Sequence, residues 1–317
     1  MERGKRLMKK AKITRGILPF VSLVVLYIIF KCLQPERFGN FNSMYVLFQQ
    51  ALIHCPLACG FYYILTMNIY DLTIGINAIL SAMFAVILSN VIGYPGVFIG
   101  AILCGLAISL LSCFLMIGIE APPIIISISL VIIYETVSVL ICGKSNIMSI
   151  NPDYRFFGKA PMNMLPGILV LIVNGLILKY SRMGVYIDAI GVNPRLAESS
   201  GINVGKYKTL AYVACGICVG VYAVNSLSYS ASVATASSLS SVTSIFKPFM
   251  ACMFAGAFKK YLNPMIGLLV GCFFLNMISY GLMTNGLEAS LQNVVVGFAM
   301  ILLIRFSSAA RKYDVVK

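Results

Sequence analysis

The sequence predicts an all-α, polytopic membrane protein with about ten transmembrane helices. Hydrophobic residues make up 60% of the 317 residues and only 11% are charged, whereas soluble proteins carry roughly a quarter charged residues. The mean hydropathy is +0.92. Most charged residues lie in short clusters between apolar runs of about 20 residues, which is the length that crosses a bilayer. A soluble domain is therefore excluded, and we expect the lipid bilayer, not nucleic acid, to be the partner of most of this surface.

Ten apolar runs predict the individual spans. They cover residues 17–33, 44–65, 71–92, 95–117, 122–142, 164–180, 209–229, 242–258, 262–283 and 288–306. No small-residue cleavage site follows the first run, so we expect it to remain as a span.

The distribution of basic residues predicts the orientation of these spans. The net charge is +14, and basic residues are concentrated in the N-terminal stretch 1–16, in the loop 181–208 and in the tail 307–317. Basic residues favour the cytoplasmic side of a membrane. We therefore expect both termini and the loop 181–208 in the cytoplasm, an even number of spans, and the loop 143–163 outside.

The loop 181–208 is the longest polar interruption in the chain, and it contains the signals of a short helix. Asn193 can cap its start, Pro194 suits the first helical position, and Gly201 can adopt the left-handed conformation that ends it. These signals predict about two turns, from Pro194 to Ser200, with Leu196 as the large apolar side chain. So short a helix needs a partner to dock on, although a solvated loop between two spans remains the alternative.

The run GVYIDAIGVNPRLAESSGINVGKYK within this loop resembles the cytoplasmic loop of the ribose-type permease subunits of ABC importers. In that family the loop supplies the coupling helix that rests on the ATP-hydrolysing subunit. The resemblance implies a single transmembrane permease domain over residues 1–317, with a ribose-permease-like fold. It also implies a set of residues that couple to the ATPase: Asn193, Pro194, Arg195, Leu196, Ala197, Glu198 and Gly201.

A second informative stretch is TMNIYDLTIGIN at 66–77, where Asp71 interrupts an apolar run. Asp71 can cap the third span by accepting from the backbone of Thr73 or Ile74. Alternatively, a break in a helix near mid-membrane exposes polar groups to a substrate path. The segment resembles the GGIDLSVG motif of the ribose-type permeases, but residues 67–70 replace its paired glycines. The tight turn of the family is therefore not predicted here.

Two charges depart from the family's usual pattern. Glu135 follows Tyr134 where the family commonly has an arginine, and Lys247 stands where an acidic residue is usual. A second, dissimilar permease that keeps the usual residues would compensate for both changes, so we favour a heterodimer of permeases over a homodimer. The alternative is that Glu135 and Lys247 neutralise each other within one chain.

Polar residues inside the spans are candidates for a translocation path. Those that we select are Asp71, Thr73, Asn77, Tyr134, Glu135, Asn225 and Asn285. The alternative is that asparagine and serine simply join neighbouring helices by hydrogen bonds. Intramembrane Asp71 and Glu135 also leave open a secondary transporter or channel that binds protons or sodium.

The chain contains none of the usual enzyme motifs. Its one histidine, His54, belongs to no metal-binding helix motif, and no nucleophile elbow is present. The ten cysteines fall mostly inside apolar runs, where cysteine acts as a small hydrophobe. We therefore expect no enzyme activity, no bound cofactor and no metal.

Taken together, the resemblance implies a multi-pass permease subunit in the plasma membrane of a bacterium. It would move a sugar or a similar small polar solute inward. The implied partners are cytoplasmic ABC ATPase subunits, which use the ATP, a second permease subunit and an extracytoplasmic solute-binding protein.

Overall fold

The computed structural model describes residues 2–36, 38–119, 121–259, 261–288, 291–292, 294–299 and 301. Of residues 2–16, 18 and 144 it describes the backbone alone. The predicted tail 307–317 and nine of the 19 residues of the predicted span 288–306 lie outside these residues. Within the described chain, 291–292, 294–299 and 301 are helical.

Helices dominate the described chain, as the apolar runs predict. They are α1 (Glu2–Leu33), α2 (Phe41–Thr66), α3 (Thr73–Ile92), α4 (Tyr94–Gly118), α5 (Pro123–Cys142), α6 (Leu165–Tyr180), α7 (Arg182–Val192), α8 (Pro194–Ser199), α9 (Val204–Ser230), α10 (Ser240–Phe258) and α11 (Pro264–Thr284). Two short strands, β1 (Ile147–Ser149) and β2 (Ser232–Ala234), pair antiparallel with Met148 opposite Val233.

Eight segments of the described chain are long and apolar enough to cross a membrane. Seven of them are α2, α3, α4, α5, α9, α10 and α11, and the eighth extends α6 to Met162–Tyr180. The stretch Pro19–Leu33 within α1 is a shorter apolar helix and coincides with the first predicted span. Composition and length thus place nine of the ten predicted spans on helices.

The helices divide into two compact units. One unit contains Met1–Ala51 and Met250–Lys317, and the other contains Leu52–Phe249. In the first unit Phe30, Phe38, Leu47 and Met277 form a buried cluster. Gly281 of α11 packs directly against the Phe30 ring of α1, so the absence of a side chain there lets the two helices approach.

The second unit is built on the close packing of α3, α4 and α9. A Cβ atom added at Gly100 would lie 2.6 Å from the Phe84 carbonyl oxygen of α3. One at Gly105 would lie 2.7 Å from the Gly216 carbonyl oxygen of α9. Real Cβ atoms do not approach so closely, so backbone meets backbone at both crossings. Small residues allow this kind of packing in membranes.

Candidate functional site

The loop 181–208 folds into two helices, α7 and α8. The Asn193 side chain caps α8 as predicted, because its Oδ1 accepts from the backbone N–H groups of Arg195 at 3.1 Å and Leu196 at 3.2 Å. Gly201 has φ = +83°, the left-handed conformation expected after the helix. The helix ends at Ser199, one residue before the predicted end.

α7 is the part of this loop that the sequence did not reveal. It runs for 11 residues, and the Ser181 side chain caps it by accepting from the Met183 N–H at 3.2 Å. Gly191 packs on the carbonyl oxygen of Thr66, at the end of α2, and Ile187 and Ile190 are buried. α7 therefore joins the exposed helix α8 to the corner between α2 and α3.

The surface of this loop combines buried small residues with exposed apolar ones. Ala197 of α8 is buried, whereas Leu196 is 63% exposed and Val192, four residues earlier, is 86% exposed. Arg195 and Glu198 are exposed beside them. We call Val192, Arg195, Leu196 and Glu198 the docking surface. An apolar pair flanked by one cation and one anion suits a protein partner better than it suits water.

At the corner between α2 and α3, Asp71 is almost completely buried. Its Oδ1 accepts from the Thr73 backbone N–H at 2.8 Å and from the Thr73 hydroxyl at 2.7 Å. The Ser112 hydroxyl of α4 lies 3.3 Å from the Thr73 hydroxyl. The predicted cap at the start of α3 is thus present, and it extends by hydrogen bonds to α4.

One turn further along α3, Asn77 continues the polar contact with α4. Its Nδ2 donates to the Gly105 carbonyl oxygen at 3.2 Å and to the Ser109 hydroxyl at 2.9 Å. Tyr134 of α5 is buried, and its hydroxyl has no hydrogen-bond partner within the described part of the chain. Asn77 therefore joins two helices, while the Tyr134 hydroxyl is left available.

Glu135 does not pair with Lys247, so the proposed internal ion pair is wrong. The Glu135 carboxylate accepts from the Leu239 N–H at 2.8 Å, the Ser241 N–H at 3.0 Å and the Ser241 hydroxyl at 2.7 Å. These donors lie at the start of α10, where unpaired N–H groups attract a negative charge. One turn along α5, the Ser138 hydroxyl accepts from the Ala236 N–H at 3.4 Å. α5 thus anchors the segment 236–241.

The two remaining candidate path residues are Asn225 and Asn285. Asn225 of α9 is fully buried and its Nδ2 donates to the Asn163 carbonyl oxygen at 3.1 Å, while its Oδ1 has no partner in the described chain. Asn285 belongs to the other unit. It follows α11 and donates to the Gly281 carbonyl oxygen at 2.7 Å.

Comparison with known proteins identifies the family. Residues 44–304 match the model of the permease component of branched-chain amino acid transport systems. The chain belongs to this family. The match spans most of the permease, from α2 through α11 and beyond, and contains both the loop 181–208 and the Asp71 corner.

Curated relatives of the permease are named as sugar permeases. The galactofuranose transporter permease protein of Escherichia coli is 26% identical over 187 residues, which cover 57% of this chain and 55% of the relative. The D-allose transport system permease protein of the same species is 24% identical and covers 64% of each chain. The ribose import permease protein is 23% identical and covers 90% of this chain and 91% of the relative. The resemblance to ribose-type permeases is thereby confirmed.

The fold of the permease also matches a solved transporter. A metal-chelate type ABC transporter in an inward-facing conformation has a TM-score of 0.54 and 12% sequence identity, over 93% of this chain and 98% of that chain. The likeness supports the fold alone. It confirms the predicted all-α membrane architecture of an ABC transporter permease.

Proposed function

We propose that the permease is the membrane-spanning subunit of an ABC importer that moves a sugar or a related small polar solute inward. It works in the plasma membrane of a bacterium, with residues 1–16, 181–208 and 307–317 in the cytoplasm, as one permease domain over residues 1–317. The observation that carries the proposal is the capped, exposed helix α8, because a secondary carrier or channel has no use for a docking helix. The names of the relatives support the same function.

The partners follow from this function. Cytoplasmic ABC ATPase subunits bind at the docking surface and use the ATP, and an extracytoplasmic solute-binding protein delivers the solute. The permease itself binds no cofactor and catalyses no reaction. The likeness to the ribose import permease protein, over 90% of this chain, supports this division of labour.

The structure suggests how movement at the docking surface reaches the spans. α7 packs through Gly191 on the carbonyl oxygen of Thr66, and Asp71 lies five residues further on. Displacement of α7 and α8 by the ATPase therefore acts on the corner that holds Asp71 and Thr73. Alternating access needs such a coupled change in the spans.

We further propose that the translocation path uses polar groups that the helix contacts leave unpaired. The Tyr134 hydroxyl and the Asn225 Oδ1 are buried without partners in the described chain. By contrast, Asp71, Thr73, Asn77 and Glu135 already bond to protein groups. These four hold neighbouring segments of the second unit together. Asn285, in the first unit, likewise bonds to a protein group, the Gly281 carbonyl oxygen.

The proposed partner on the other side of the path is a second, dissimilar permease. Because Glu135 bonds to the start of α10, it leaves the charge of Lys247 without a counter-charge among the described residues. With a dissimilar partner that charge occurs once beside the path, whereas a homodimer would place it twice around one path. Expression and purification test this: a transport-competent complex that contains only this permease and the ATPase subunits would contradict the heterodimer.

The coupling role is tested by changes to the docking surface. Leu196→Asp places a charge on an exposed apolar side chain, so we expect a normal amount of folded permease in the membrane but loss of co-purification with the ATPase subunits. Leu196→Met keeps the apolar contact and should retain the complex. If Leu196→Asp retains both the ATPase subunits and ATP-dependent uptake, the coupling role is wrong.

A matched pair of glycine variants tests the helix end separately. Gly201→Ala forces a Cβ onto φ = +83° although the surrounding space is open, and a residue in this conformation costs about 1–2 kcal/mol. Gly205→Ala is the control, because its φ is not positive and its nearest neighbour would lie 3.7 Å away. We expect weaker ATPase binding for the first and wild-type binding for the second. Equal binding would mean that the end of α8 is not part of the contact.

A further inference from the structure

We propose that Lys247, His54 and Tyr222 form a site for an anionic group inside the membrane, and that the solute of this permease carries a carboxylate or phosphate group. The inference rests on the importer function proposed above. It goes further, because it states the charge of the solute.

Lys247 occupies an unfavourable position for an ordinary surface lysine. It is the eighth residue of α10, a helix long and apolar enough to span the membrane. At 1.5 Å per residue it lies roughly 10 Å along the helix from Ser240. Its side chain is half-buried. A charge at such a depth is costly and generally marks an ion or substrate site.

Within the part of the chain that the structure describes, no acidic side chain forms an ion pair with Lys247. The three helices that carry the proposed site, α2, α9 and α10, contain no aspartate or glutamate. Glu135 of the neighbouring α5 is bound to the backbone of Leu239 and Ser241 and makes no salt bridge with Lys247. The compensating negative charge therefore has to come from another molecule.

His54 provides a second group without a partner. It lies in the middle of α2, its Nδ1 is buried without a hydrogen-bond partner in the described chain, and the rest of its side chain is half-buried. Lys247 is close enough for its charge to act on the imidazole. The ring stacks on Tyr222 of α9 with 5.9 Å between centroids. The ring contact thus joins α2 to α9, and the charge of Lys247 on α10 acts on the same imidazole.

The chemistry of this group of side chains favours an anion. An ammonium donates only, and an imidazole nitrogen and a phenol can both donate. Hydrogen bonds from such donors to a carboxylate or phosphate are about twice as strong as those between neutral groups. A neutral sugar would leave the cation uncompensated. We infer a small hydroxylated solute with one acidic group, of which a sugar acid is the simplest example.

The charge of the site can be measured without knowing the natural solute. Ser226→Cys places a thiol one turn from Tyr222 on the same face of α9, and the native Ser226 hydroxyl interacts with Tyr222. The complete importer complex in membrane vesicles is treated with an anionic and a cationic methanethiosulfonate, carrying sulfonatoethyl and trimethylammonioethyl groups. Modification at residue 226 is followed by mass spectrometry, and the ratio of the two rates is normalised to that of a free thiol in water.

We expect the normalised ratio to favour the anionic reagent and to fall roughly tenfold with Lys247→Met, because loss of a nearby positive charge slows the anionic reagent and speeds the cationic one. Lys247→Arg should keep the ratio. Lys206→Met is the matched control, since it removes an exposed charge in the first turn of the same α9, and it should also keep the ratio. D-Gluconate should slow the modification, and D-glucose at the same concentration should not.

Three results would overturn the proposal. The first is a ratio that Lys247→Met leaves unchanged, and the second is protection by D-glucose equal to that by D-gluconate. The third is a ratio that depends on Lys247 in the isolated permease but not in the complex, since the partner permease would then supply the negative charge. Neither readout requires ATP. Failure here is therefore distinguishable from failure of the coupling tests, which measure ATPase binding.

Discussion

Replacement of Glu135 by glutamine tests whether the start of α10 is held by a carboxylate from α5. The carboxylate accepts three hydrogen bonds, two from Ser241 and one from the Leu239 N–H. A glutamine side chain has one acceptor oxygen. If it keeps the Ser241 bonds, its amide group faces the Leu239 N–H, donor against donor. A hydrogen bond to a charged group contributes about 1.5–3 kcal/mol and an unpaired buried donor costs about 1–3 kcal/mol, so we expect a loss of about 2–4 kcal/mol.

Loss of the Glu135 hydrogen bonds should affect the backbone of the segment 236–241 as well as the stability of the whole protein. Ser238 and Leu239 have φ values of +55° and +63°, and non-glycine residues in this region cost of order 1–3 kcal/mol each. The Glu135 bonds hold them there. Glu135→Gln should therefore lower the thermal unfolding temperature in detergent and speed hydrogen exchange in the segment 236–241.

A neighbouring variant provides the control for this experiment. Thr136→Val removes an exposed hydroxyl that bonds only to the Ile132 carbonyl oxygen of its own helix, so its effect should stay within about 0.5 kcal/mol. The reasoning is refuted if Glu135→Gln unfolds at the wild-type temperature and the amides of Leu239 and Ser241 exchange at the wild-type rate.

Two further predictions concern helix packing and orientation. Gly105→Ala should destabilise the protein by about 1–3 kcal/mol, because the new methyl group would meet the Gly216 carbonyl oxygen. Gly118→Ala is the control and should not destabilise it, because nothing lies within 4 Å of the added methyl group. Equal unfolding temperatures of the two variants would contradict the close crossing of α4 and α9. The cysteine of the variant Lys159→Cys, at an exposed position, should react with an impermeant thiol reagent in intact cells. The cysteine of Glu198→Cys should react only after the cells are opened. The reverse pattern would overturn the predicted topology.

Features that depend on neighbouring residues were predictable from the sequence. The cap at Asn193 and the left-handed Gly201 were both located correctly, because capping uses side chains within three positions of the helix end. The contact between Asp71 and Thr73 was predictable for the same reason. The apolar runs found the spans, since hydropathy over about 20 residues is itself a local property.

Features that depend on distant residues were not predictable in this way. α7 was not predicted, and its packing depends on contacts outside the helix: Gly184 and Gly191 lie against the carbonyl oxygens of Leu178 and Thr66. The partners of Glu135 were not predicted, since charge complementarity suggested only Lys247, as the alternative to a heterodimer. The actual donors lie 104 and 106 positions away in the chain, and two of them are backbone groups that no sequence pattern distinguishes.

The glycine crossings of α3, α4 and α9 limit where this part of the protein can bend. Side chains between two helices can change rotamer and let the helices slide, but at Gly100 and Gly105 the backbones touch directly. Rotation of one helix against another would drive carbonyl oxygens into Cα atoms. We therefore expect these three helices to move as a rigid body during transport, with hinges at the segments that flank them, above all at the corner 67–72.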